Sequence, residues 1–156
     1  MLDATERAAL TDLVHRYAAG VDERQFDTVT ELFTHTAELM LPEPPANLDP
    51  VHRHCGHAAI RTAIEAVAAT IRTEHAIVGE VFDVGPQPDS ARGRIACVAH
   101  HWSRHGDQLT DAVWHLRYDD EYRRTDAGWR ITHRALTINA IETRPMRRVR
   151  SDGQSD

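Results

Sequence analysis

Apolar residues recur at three- and four-residue spacing near the start of the chain. Leu10, Leu13, Val14, Tyr17 and Val21 fall on one stripe, which predicts a helix over residues 5–20 with one buried face. Gly20 suits the exit from that helix. A second, short helix is expected over residues 27–33, burying Val29, Leu32 and Phe33, and residues 38–41 read as a brief strand. Residues 42–50 contain four prolines, which predicts an irregular loop, a flap over something beneath it. A further helix is expected over residues 56–73, with Ile60, Ile64, Val67 and Ile71 on one face. Beyond it the pattern becomes strand-like, over residues 76–84, 92–104, 110–124 and 129–142. Gly-Pro-Gln-Pro, His-Gly-Asp and Thr-Asp-Ala-Gly supply the turns.

Helices first, one strand among them, then an antiparallel run: this order predicts an α+β fold, with the helices covering one face of a curved, mostly antiparallel sheet. A sheet curved around helices encloses a cone, and the mouth of a cone is a natural pocket for a small molecule. The expected organisation is one domain over residues 1–143, followed by a basic and then polar C-terminal tail over residues 144–156.

Composition removes several function classes. The chain has 156 residues, 41% of them hydrophobic, and no run long enough to cross a membrane as a helix. The N-terminal residues lack the basic-then-apolar pattern of a signal peptide, so a cytoplasmic location is expected, with no membrane partner. In that compartment Cys55 and Cys97 are expected as free thiols. The net charge of −6 and the lack of a basic stripe argue against nucleic acid as a partner; Arg144, Arg147, Arg148 and Arg150 read as a solvated or subunit-contacting end. All 18 residues that are Lys or Arg are arginine, which excludes lysine Schiff-base chemistry. No Gly-x-Ser-x-Gly elbow and no Gly-rich phosphate loop occurs.

The candidate chemistry rests on Asp22, delivered at the end of the first helix, and His75, an imidazole in an apolar run. A carboxylate that orients a histidine is the minimum equipment for taking a proton from carbon. Each residue also has a structural reading. Asp22, with Gln25 three positions on, could cap the second helix, and His75 could be a hydrogen-bonded core residue. The cluster His52, His54, Cys55 and His57 matches no standard zinc spacing, so no metal is expected.

Two segments carry a family resemblance: Tyr17-Ala-x-x-Val-Asp22-x-x-x-Phe26-Asp27-x-x-x-x-Leu32-Phe33, and Tyr118-x-Asp120-x-Tyr122-x-Arg124-x-x-x-Gly128-Trp129-x-Ile131-x-x-Arg134. With the layout, they resemble the SnoaL-like branch of the nuclear-transport-factor-2-like superfamily, over about residues 5–142. Scytalone dehydratase and a dehydrochlorinase look closest within it. The resemblance implies a catalytic Asp at Asp22, a His at His75 and, as in the dehydrochlorinase, an arginine five residues past the tryptophan, at Arg134. The dehydratase's second histidine falls on His101 if Gly93 is aligned, or on His100 by residue count; Ile95, Cys97, Ala99 and His101 alternate on one face, which favours His101. The chain departs from both enzymes. Val21 replaces the dehydratase's tyrosine, and Tyr17 stands where the dehydrochlorinase has lysine, so their substrates do not transfer.

Arg134 could bridge acidic residues on the sheet or stabilise an anion in the pocket. Tyr17 and Tyr118 read as core rings whose polar tips reach the cavity, with Trp114 on the same wall and Trp129 a structural plug. Of Asp119, Asp120 and Glu121, one is expected to point inward. The expected activity is cofactor-independent proton abstraction by an Asp22–His75 dyad on a small hydrophobic substrate, leading to elimination or isomerisation. A non-catalytic ligand-binding module and a polyketide cyclase are the alternatives, and a homodimer or homotrimer is the expected assembly.

Overall fold

The computed structural model describes residues 1–151. Helix α1 (Ala4–Asp22) starts at a capping box: the Asp3 carboxylate accepts the Glu6 amide and the Glu6 carboxylate accepts the Asp3 amide. The stripe Leu10, Leu13, Val14, Tyr17 and Val21 is buried as expected. Gly20 does not end the helix. It sits inside the last turn, where α2 (Phe26–Thr30) packs so closely that a Cβ would meet Val29 Cγ2 at 2.5 Å. Helix α2 is shorter than expected, because Phe33 already opens β1 (Phe33–Glu43).

The proline-rich segment is not a loop. Strand β1 turns through Pro44–Pro45, joined by a cis peptide bond, into the antiparallel β2 (Asn47–Cys55). The prolines fit because of where they fall. Pro42 lies at a break in register between Leu41 and Glu43, and Pro50 lies on an edge strand, where a missing amide costs least. The helix expected over residues 56–73 is cut short too. Helix α3 (Gly56–Ile64) tightens into a 3₁₀ turn (Glu65–Ala69), and β3 (Arg72–Val84) begins earlier than expected. Strands β4 (Ser90–His105), β5 (Gln108–Thr125) and β6 (Gly128–Met146) complete the chain as long hairpins.

The six strands form one sheet in the order β2-β1-β6-β5-β4-β3, antiparallel except where β1 runs parallel to β6. Register shifts at Ile77/Gly79, His115/Leu116 and Glu121/Tyr122 bend the sheet. Helix α1 packs on β3 and β6, and α3 on β1 and β2, giving the expected α+β fold of helices against a curved sheet. Strand β6 continues through Arg144, past the expected boundary at residue 143; of the expected tail, residues 152–156 lie outside the described residues.

Candidate active site

Asp22 is the last residue of α1, within its final turn. A carboxylate at that end faces the negative pole of the helix dipole. Three donors from β3 offset this. Thr73 Oγ1 donates to Oδ1 at 2.9 Å, the His75 amide donates to Oδ2 at 2.8 Å, and His75 Nδ1 reaches Oδ1 at 2.7 Å. The capping alternative for Asp22 therefore falls. The N-cap of α2 is Gln25, with no side-chain cap bond, and the Asp22 carboxylate turns to β3 instead.

A carboxylate only accepts, so His75 carries a proton on Nδ1, and in the neutral ring the lone pair is at Nε2. Nε2 has no hydrogen-bond partner among the described residues, although the His75 side chain is only 8% exposed. The ring lines a cavity of about 320 Å³ between the helices and the sheet. Tyr17 of α1 and His101, Trp114 and Tyr118 of the strands line it with His75. The rest of the wall is apolar except for Thr70, and includes Ala66 and Val67 of the 3₁₀ turn. Arg24, held at φ 59°, donates to the carbonyls of Ala68, Thr70 and Ile71 and ties that turn to the end of α1.

His101 is anchored in the same manner as His75. Its Nδ1 lies 2.9 Å from the Ala112 carbonyl, so the proton sits there and Nε2 is the free nitrogen. Burial lowers its pKa, opposed by the Ala112 bond and reinforced by His75, so it is held neutral. Its ring tilts against Trp114 at 4.3 Å and meets the edge of His75 at 6.1 Å. Burial pushes the Tyr118 phenol well above its ordinary range, so it stays protonated.

A family model for the SnoaL-like domain matches residues 3–135. The chain belongs to the SnoaL-like family. Uncharacterized proteins of Mycobacterium tuberculosis and Mycobacterium bovis are 26% identical to this SnoaL-like chain over 140 residues, covering 86% of each. A candidate aromatic ring hydroxylase of Novosphingobium aromaticivorans superposes with TM-score 0.77 at 24% identity, covering 94% of this chain and 96% of that one. A candidate scytalone dehydratase of the same organism gives TM-score 0.75 at 18% identity (97% and 96% covered). The hexachlorocyclohexane dehydrochlorinase of Novosphingobium barchaimii gives 0.71 at 18% (96% of each). At these identities the structural likenesses establish the shared fold.

The geometry of this SnoaL-like domain separates residues that were expected together. Arg134 does not line the cavity. It is fully buried and donates two bonds to Asp120, at 2.8 and 2.7 Å, with Tyr17 and Tyr118 stacked over its guanidinium at 4.2 and 4.1 Å. Burial disfavours its charge, but Asp120 overrides this and keeps it protonated. Tyr122 donates to the same carboxylate, making Asp120 the inward member of the acidic trio. The two tyrosines thus form a wall between a sealed ion pair and the cavity.

His100 is likewise not a cavity residue. It points away from the His101 side of β4, with Nδ1 2.7 Å from Asp111 and its ring beside Trp102. Among the described residues no group of three or more His, Cys, Asp or Glu is placed to hold a metal ion. Within the histidine-rich segment, His52 pairs with Glu43 and His57 Nε2 bonds the Phe33 carbonyl. Cys55 is an exposed free thiol, and burial pushes the Cys97 thiol up to about 12. Sequence reasoning missed Thr73 because it was assigned to a helix. The available signal was Thr73-x-His75, two side chains on one strand face.

Proposed function

We propose that this SnoaL-like domain is a cofactor-independent lyase or isomerase acting on a small, uncharged, hydrophobic molecule. The observation that carries this is His75, with Nδ1 tied to Asp22 and an unpartnered Nε2 on the wall of an apolar cavity. Nε2 takes a proton from a carbon made acidic by a neighbouring electron-withdrawing group, and the Asp22 carboxylate orients the ring and stabilises the imidazolium that forms. The electron pair left on carbon moves toward the electron-withdrawing group. Tyr118, whose hydroxyl stays protonated, donates to the developing anion, and His101 offers a second neutral ring. Elimination then expels a leaving group from the adjacent carbon, or isomerisation returns the proton to another carbon.

In this reading Tyr118 and His101, rather than Arg134, face the anion, because Arg134 is sealed behind Tyr17 and Tyr118 and already holds Asp120. It also sets the charge of the substrate. No Arg or Lys is among the described residues lining the cavity, and burying a carboxylate or phosphate without a cationic partner costs several kcal/mol. A homodimer or homotrimer belongs to the same proposal. The face of the sheet opposite the cavity leaves Ala76, Ala96 and Ala140 exposed, with Val78 64% exposed. The cytoplasm remains the proposed compartment.

The test is carbon–hydrogen exchange. Neutral cyclic ketones are incubated with the protein in D₂O and loss of the α-proton signal is followed by NMR. Exchange that wild type accelerates and His75→Ala does not is the expected result. Equal rates for both proteins, with the ketone bound in the cavity, would sink the proposal.

A further inference from the structure

We propose that Thr73 is a positioning residue of this site, holding the Asp22 carboxylate in the orientation that fixes the tautomer of His75. The inference rests on the Asp22–His75 reading and adds a residue to it. Thr73 and His75 project from the same face of β3, two residues apart, and both reach the one carboxylate. Thr73 Oγ1 and His75 Nδ1 share Oδ1, while the His75 amide occupies Oδ2. The carboxylate is pinned at both oxygens, so rotation about its last bond would break at least one of these contacts.

Thr73 is needed because Asp22 sits in an unfavourable place. The end of a helix repels a carboxylate, and the side chain is 22% exposed, so water competes for its lone pairs. Thr73 as a whole is 6% exposed and does not line the cavity. It acts through Asp22 and touches no substrate. Losing its hydroxyl leaves a lone pair of Oδ1 to be filled by water. The carboxylate then turns toward solvent, and His75 Nδ1 loses its fixed acceptor. The free Nε2 lone pair, the feature that makes His75 a base, is then no longer enforced.

A role in packing and a role in positioning predict opposite rankings of two variants. Thr73→Val keeps the shape and removes the hydroxyl; Thr73→Ser keeps the hydroxyl and removes a methyl. The readout is the ¹⁵N shifts of the two His75 ring nitrogens at pH 7.5, in protein free of ligand, with thermal unfolding measured alongside. Wild type and Thr73→Ser are expected to show widely separated shifts, marking protonated Nδ1 and bare Nε2. Thr73→Val is expected to lose that separation toward the average of two exchanging tautomers while remaining folded. Wild-type shifts in Thr73→Val, with Thr73→Ser the perturbed variant, would make Thr73 a packing residue and overturn the inference. Asp22→Asn separates the two claims. If it leaves the His75 shifts unchanged, the underlying reading of Asp22 and His75 fails; if it alters them while Thr73→Val does not, only the inference about Thr73 fails.

Discussion

Two carboxylates on the concave side of this sheet each hold a nitrogen base, and they differ in what can reach them. The side chains of Asp120 and Arg134 are both 0% exposed, joined by two hydrogen bonds and walled off by Tyr17 and Tyr118. Asp22 and His75 are joined by one side-chain hydrogen bond, and the second ring nitrogen is left bare on a cavity wall. Every strong acceptor of the first pair is spent inside the protein. The second pair keeps one in reserve. Charge alone therefore does not mark a reactive site; a free lone pair next to accessible volume does. The same contrast separates His101 from its neighbour His100, anchored alike through Nδ1 but on the other face of β4.

Breaking the sealed pair is expected to have the largest effect. Arg134→Met leaves Asp120 buried without its cation, and Asp120→Asn does the reverse. Removing one partner of a buried pair costs about 3–5 kcal/mol. Urea unfolding should show that loss for either variant. The double variant with both residues made apolar should recover part of it, since the surviving charge is then gone. A loss below about 1 kcal/mol in the single variants would mean that water reaches the pair and that the tyrosine wall is not a seal.

The open pair should respond in the opposite way. His75→Ala is expected to lower the rate of proton abstraction by about 10²–10⁴-fold, the usual share of a positioned base, with a small effect on unfolding. Exchange of a ketone α-proton in D₂O measures the first and urea unfolding the second. A variant that unfolds as readily as Arg134→Met would place His75 in the core ledger with Arg134, and the contrast would collapse.

How much of this was legible beforehand depends on how local each signal was. The stripe on α1 and the alternation along β4, β5 and β6 are periodic within one element, and they placed Tyr17, His101, Trp114 and Tyr118 on one side. The motif around Asp120 and Arg134 was visible as spacing, but its seal was not. The seal needs a ring from α1 and a ring from β5 to close over a side chain from β6, and no single stretch of chain contains that fact. The hairpin of β1 and β2 was hidden for a related reason: prolines exclude a central strand, and only the sheet order reveals β2 as an edge. Thr73 was hidden because Val67 and Ile71 continue a helical period that the 3₁₀ turn breaks.

A smaller perturbation sharpens the comparison by moving the open pair without touching its atoms. Gly20 lets α2 lie against the last turn of α1, two residues before Asp22. Gly20→Ala drives a methyl into Val29, and overpacking of this kind costs about 1–3 kcal/mol. The spread should fall on the side of the molecule that holds Asp22. Thermal unfolding measures the cost, and the His75 ring ¹⁵N shifts show whether Asp22 moved. Val29→Ala in the same chain should restore both, because it removes the atom that the new methyl meets.

The mildest test concerns pH. Burial depresses the pKa of His101 below its ordinary 6.5, against the pull of the Ala112 carbonyl and with help from His75. An unfolded chain then binds more protons at this position than the folded one whenever the pH lies between the two values. Stability contributed by a neutral His101 is complete above about pH 6.5 and is lost as pH falls through the folded value. One such group changes stability by at most about 1.4 kcal/mol per pH unit. His101→Asn keeps a donor for the Ala112 carbonyl and cannot titrate, so its unfolding free energy should fall less steeply than wild type below pH 6.5 and run parallel to it above. Parallel curves throughout would mean that His101 accepts a proton as easily folded as unfolded. The cavity could then hold a positive charge of its own, and the exclusion of anionic substrates would lose its basis.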